Sequence, residues 1–184
     1  MNHNWNQRID QNTALYLEYF GSLNWETLNQ KPDENSWSIG QIIDHVIKLN
    51  EDYFEIFSSL EAGELSIPFL MRSRFIADYF GGTLQNTVEP ERKKRTKTMK
   101  IWEPTNTISN DVIDRFEENQ QRFGLQLRNL ESQISENPII HSPLSKWIVL
   151  PLNTAIEVLI EHELRHFNQG KELLGVMGKS SVTV

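Results

Sequence analysis

Four stretches of this chain repeat apolar residues at the helical interval, and no region alternates convincingly at the strand interval. The first covers residues 6–29, where Ile9, Leu15, Leu17, Tyr19, Phe20, Leu23 and Leu28 form a broad apolar side and Pro32 marks the end. The second opens at Ser38, and Gln41 three residues later completes a capping-box pattern. Ile42, His45, Val46, Leu49, Tyr53 and Ile56 then share one face, so His45 lies inside the apolar stripe. The third covers residues 110–135 through Val112, Ile113, Phe116, Phe123, Leu127, Leu130 and Ile134, interrupted by Gly124. The fourth opens at Thr154, with Glu157 as a second capping-box partner and Gly175 as the C-terminal cap. Ala155, Leu159, His162, His166, Gln169 and Leu173 line its face. The pattern predicts an all-α fold, a four-helix bundle forming a single domain over residues 1–184.

A crossover at residues 63–108 separates helices 2 and 3 of this scheme. It is long for a compact domain, and connections of this length carry structure or function. It permits neighbouring helices to run parallel instead of strictly up and down. Residues 68–80 predict a short helix that Gly81-Gly82 breaks. The basic loop Arg92–Lys100 follows, beginning with Glu91-Arg92-Lys93-Lys94-Arg95-Thr96-Lys97. It reads as a solvated loop or as a contact for an anionic substrate. No aromatic pattern surrounds it to suit single-stranded nucleic acid.

Charge and composition narrow the function classes. A net charge of −7 argues against a general nucleic-acid binder. The absence of cysteine removes disulfides, thiolate ligands and a cysteine nucleophile. The N-terminal residues lack a basic region followed by an apolar stretch, and no run approaches a membrane span. The expectation is a cytoplasmic protein that acts on a small molecule, without nucleic acid or membrane as partner. Symmetric homodimers are the commonest oligomers, so self-association through an apolar helix face is a further expectation.

The histidines carry the chemistry. His162 and His166 are one helical turn apart on one face, where two imidazoles can share an ion. With Glu163 the segment matches H-E-x-x-H, the zinc-protease helix motif. The positions that would extend it hold Gln169 and Glu172, no separate helix follows to supply a third ligand, and no strands precede it. The protease reading therefore gives way to one in which His45, on the core face of another helix, completes a three-imidazole site. The simpler reading, that each histidine bonds a carbonyl or carboxylate, holds for any one alone. His3, near the terminus, and His141, in an expected loop, are not first-choice ligands. Glu163, Asp44 and Gln169 are candidates to orient an imidazole or contact substrate, against the plainer reading of surface or packing residues. All-nitrogen ligation suits zinc or nickel, and also iron or copper.

Two segments resemble a known family. Trp37-Ser38-Ile39-Gly40-Gln41-Ile42-Ile43-Asp44-His45 resembles the start of the second helix in DinB-like proteins, where W-S-x-x-[EQ]-x-x-x-H places the first metal histidine. His162-Glu163-Leu164-Arg165-His166-Phe167-Asn168-Gln169 is similar to the last-helix H-x-x-x-H-x-x-Q segment of that family. The resemblance implies a DinB/YfiT-like bundle with a divalent metal on His45, His162 and His166. It implies an enzyme that activates a low-molecular-weight thiol for transfer to an electrophile. The alternatives are a metal-dependent hydrolase of a small substrate and a non-enzymatic, metal-stabilised bundle. Arg165 stands where the family often has an adjacent histidine, a departure that bears on substrate.

Overall fold

Ser38 begins the helix that carries His45, and its capping box is formed as the sequence predicts. The Ser38 hydroxyl accepts from the Gln41 backbone N–H at 3.2 Å, and the Gln41 side-chain oxygen accepts from the Ser38 N–H at 3.1 Å. The computed structural model describes residues 4–89 and 98–180. Their elements are α1 (Trp5–Phe20), α2 (Trp25–Asn29), α3 (Ile39–Glu61), α4 (Arg74–Val88), α5 (Val112–Asn129), α6 (Glu131–Glu136), β1 (Ile139–Ser142), β2 (Ser145–Pro151) and α7 (Leu152–Ser180). Short 3-10 turns occupy Phe69–Met71 and Lys100–Trp102.

The long helices α1, α3, α5 and α7 form the bundle. Each of α1 and α3 packs against both α5 and α7. Paired contacts give their directions. Asp44 meets Arg115, Asn50 meets Asn119 and Ser58 meets Gln126, so α3 and α5 run parallel. Trp5 meets Glu157, Asn12 meets Ile160 and Tyr16 meets Glu163, so α1 and α7 also run parallel. The long crossover makes the first of these arrangements possible.

Two apolar clusters fill the bundle. One gathers Phe54, Phe57, Phe123, Leu130, Ile156 and their neighbours; the other gathers Tyr16, Phe20, Val46, Phe116 and Phe167. Between them all four helices contribute polar residues: Asn12, Asn50, Asn119, Gln120 and Glu163 are buried. No helix among the described residues is long and apolar enough to cross a membrane.

Several local expectations are corrected. A hairpin, β1 with β2, precedes α7 where the sequence offered no convincing strand; Ile139 pairs with Pro151 and Ile140 with Leu150. Its β-branched run is too short to show a period above the surrounding helices. The first predicted helix divides into α1 and α2, and the third into α5 and α6. Gly81-Gly82 does not break α4. A Cβ on Gly81 would lie 2.9 Å from the Thr154 side chain, so glycine there lets α4 approach the start of α7. α7 starts at Leu152, ahead of the expected Thr154 cap. Its early donors reach back: Leu152 N–H to the Pro138 carbonyl at 2.9 Å, and Asn153 N–H to the Asn137 side chain at 3.0 Å. Glu157 instead accepts from Trp5 Nε1 and Arg8. α7 continues past Gly175 to Ser180. Most of the basic run, residues 91–97, and His3 lie outside the described residues.

Candidate metal centre

Parallel packing of α3 with α5, and the seating of α7 against α3, bring one turn of α3 opposite one turn of α7. His45 enters from α3, and His162 and His166 enter from α7; all three are buried. Their ring nitrogens converge. The His162 Nε2 atom is 3.2 Å from that of His45 and 3.0 Å from that of His166. One ligand atom from each of the three lies within 4.8 Å of the others. The three sequence-predicted ligands are thus brought together.

The surroundings fix which nitrogens are free to bind. His45 Nδ1 is 2.7 Å from the Trp102 carbonyl, which can only accept, so this ring's N–H sits on Nδ1 and its Nε2 carries a lone pair. His166 Nδ1 lies 3.0 Å from the Gln169 side-chain oxygen, with the same consequence. Two lone pairs therefore face the His162 Nε2, and one N–H there could satisfy only one of them. His162 Nδ1 is buried and has no hydrogen-bond partner among the described residues. Any neutral tautomer of His162 thus leaves a buried nitrogen unsatisfied, which is costly. A cation among the three Nε2 atoms would take up all three lone pairs and remove their mutual conflict, with the His162 N–H then on Nδ1. Nitrogens about 2.0–2.1 Å from one ion and spread at tetrahedral or octahedral angles stand about 2.8–3.4 Å apart, and the two separations of 3.2 and 3.0 Å fall within that span.

Electrostatics keep the rings neutral. Burial lowers the pKa of all three. His162 is held well below the usual imidazole range by burial, and further by the neighbouring His166, His45 and Arg165. His166 is pushed down to about 3, again by burial first and then by His45, although its Gln169 bond works the other way. Neutral imidazole is the metal-binding form.

Gln169 therefore orients an imidazole, as the sequence suggested, whereas Asp44 does not. The Asp44 carboxylate accepts from Thr105 N–H and pairs with Lys48 at 3.0 Å and Arg115 at 3.2 Å. Burial alone would raise its pKa, but these partners outweigh burial and hold it below the ordinary value. Its role is to tie α3 to α5 and to the segment beside Trp102. Glu163 is neither on the surface nor hydrogen-bonded to an imidazole. It is fully buried, and its carboxylate accepts from Asn50 and Gln120 at 2.8 Å each and from Asn12 at 3.2 Å. Burial raises its pKa, opposed by those three amides. The H-E-x-x-H glutamate is thus committed to the bundle core. His141 is also placed differently from expectation: it is buried in β1, with Nδ1 3.0 Å from the Ser142 carbonyl.

Two contributors escaped sequence reasoning. The Trp102 carbonyl that orients His45 is a backbone atom, which no residue type announces. Trp37 stands over the site, its ring centroid 5.0 Å from His45 and 6.4 Å from His166. The motif holds Trp37 but does not reveal that its indole walls the imidazoles. Gln41 braces the same region by donating to the Thr105 carbonyl at 2.8 Å. A cavity of about 320 Å³ adjoins this wall, lined in part by Lys31, Trp37, Gln41 and Glu103.

Comparison with known proteins agrees with this geometry. The DinB superfamily model matches residues 8–169. A solved structure, that of YfiT from Bacillus subtilis, superposes with a TM-score of 0.59 at 16% identity, covering 95% of this chain and 86% of that one. YfiT is described as a probable metal-dependent hydrolase with an unusual four-helix bundle topology. No curated protein sequence matches the chain.

Proposed function

The chain belongs to the DinB superfamily, and from that premise and its three converging imidazoles we propose that it is a metal-dependent hydrolase of a small substrate. The observation that carries this reading is the meeting of three Nε2 atoms, two with their lone pairs fixed inward by Trp102 and Gln169. His45, His162 and His166 would hold a divalent ion, which would supply Lewis-acid chemistry to a small substrate. The description of YfiT as a probable metal-dependent hydrolase supports the choice of hydrolysis. The chain's own residues do the positioning. Trp102 and Gln169 hold the rings, and Trp37 closes one side with apolar surface. The cavity on the far side of Trp37 is lined by none of the three histidines. Zinc and nickel are the leading metals for this donor set, with iron and copper compatible.

Transfer of a low-molecular-weight thiol to an electrophile is the second reading, and one observation favours it. The buried carboxylates next to the histidines in sequence, Asp44 and Glu163, are both engaged, one by cations and the other by amides. A thiol ionises nearer neutrality than water and depends less on a protein base. The two readings separate in one experiment. Protein reconstituted with zinc or nickel is assayed against small activated esters and amides, and separately for joining a small thiol to a chloronitroaromatic electrophile. Ester or amide turnover that disappears in His162→Ala is the expected result. Thiol joining without hydrolysis would favour the second reading. Neither activity across the panel would contradict both and leave a metal-stabilised bundle.

A further inference from the structure

Trp102 grips α3 at two points. Its indole Nε1–H donates to the Asp52 carboxylate at 2.7 Å, and its carbonyl accepts from His45 Nδ1 at 2.7 Å. Asp52 follows His45 on α3 by two turns, or about 10 Å, on nearly the same face. Beyond Trp102 the chain runs back along this helix. The Glu103 carbonyl accepts from Lys48 Nζ at 3.0 Å, Thr105 N–H donates to Asp44 at 3.2 Å, and the Thr105 carbonyl accepts from Gln41 at 2.8 Å. Gln41, Asp44, Lys48 and Asp52 therefore form one row at helical spacing, and each holds the segment from Trp102 to Thr105. Three members of the row act after Trp102, on backbone groups. Asp52 is the member that takes hold of the Trp102 side chain.

We propose that Asp52 is a positioning residue for the metal centre, fixing His45 through Trp102. This role rests on the metal-binding reading of the three histidines. A ligand imidazole is oriented by the partner of its second nitrogen, which sets both tautomer and ring rotation. For His45 that partner is a backbone carbonyl, whose direction follows from how Trp102 is seated. The 3-10 helix that ends at Trp102 is a single turn, and such turns have poor hydrogen-bond geometry of their own. The indole also packs against the apolar cluster that includes Leu49 and Tyr53. Apolar packing is non-directional, whereas the bond to Asp52 selects one orientation of the indole. A carboxylate that only satisfied the indole N–H would affect stability alone. A positioning role extends to the His45 ring and to metal affinity.

Two measurements on wild type, Asp52→Ala, Asp52→Asn and Trp102→Phe test this: zinc and nickel affinity by competition with a chromophoric chelator, and proton–nitrogen NMR of the imidazoles in metal-free protein. Asp52→Ala should bind metal roughly 10-fold more weakly and lose the slowly exchanging His45 Nδ1–H signal. Asp52→Asn keeps an acceptor oxygen and should restore most of both. Trp102→Phe removes the indole donor and should match Asp52→Ala, and combining the two should cost nothing further. Ser58→Ala removes a bond between α3 and α5 and should lower urea stability without moving either readout. A wild-type Nδ1–H signal in Asp52→Ala would overturn the proposal, as would Asp52→Asn binding metal as weakly as Asp52→Ala. Wild type that holds neither zinc nor nickel would instead overturn the metal reading, while the Nδ1–H signal would still decide whether Asp52 fixes the His45 ring.

Discussion

At the scale of single residues, the centre depends on imidazoles that refuse protons. An unfolded histidine takes up a proton below its ordinary pKa near 6.5, whereas folded His166 is held down to about 3 by burial and by His45. Between those values the unfolded state binds more protons, so stability falls as pH falls. Above about 6.5 this contribution is complete and level. Urea unfolding of chelator-treated protein should therefore lose up to about 1.4 kcal/mol per pH unit for each such histidine as pH drops from 6.5 towards 4. The slope should be shallower in His166→Asn. Equal slopes in the two proteins would show that His166 titrates freely in the fold. The three converging histidines were legible in the sequence because their chemistry and spacing sit on side chains. Their orientation was legible only in part: Gln169 is one turn from His166, while the Trp102 carbonyl is 57 residues from His45 and belongs to no motif.

At the scale of elements, Glu163 explains how α7 is held in register. Its carboxylate gathers amide donors from α1, α3 and α5 in the layer between the two apolar clusters. Sliding α7 by a turn would strand those donors and withdraw His162 and His166 from His45. Glu163→Ala should lower unfolding stability by about 2–4 kcal/mol, because buried donors lose their acceptor. A loss below about 0.5 kcal/mol, measured by urea unfolding, would show that water or neighbouring groups replace the carboxylate. Glu163 follows His162 by one residue and so lies about 100° round the helix from it, but the sequence does not show that three other helices meet that side. The helices themselves were readable from their periodicity. The breaks were less so. Asn137 adopts a positive φ of 49° after α6, and the short hairpin that follows carries too few residues to announce its alternation.

At the scale of the molecule, the fold makes the site by topology. The crossover after α3 lets α5 run parallel to it, and α7 then seats against α3 so that one turn of each is opposed. The four-helix bundle and its cluster of buried histidines were foreseeable because helical stripes and imidazole spacing are both local signals. The path of the crossover was not. Gly81-Gly82 looks like a helix stop in sequence, and only the nearness of Thr154 reveals it as a point of close approach. We propose that His45, His162 and His166 jointly hold one divalent ion. Its most direct test is metal analysis of wild type beside His45→Ala, each loaded with zinc or nickel and then dialysed. Wild type should retain one ion per chain, and His45→Ala should retain the helical fold but lose that ion. Full occupancy in His45→Ala would contradict the three-histidine site.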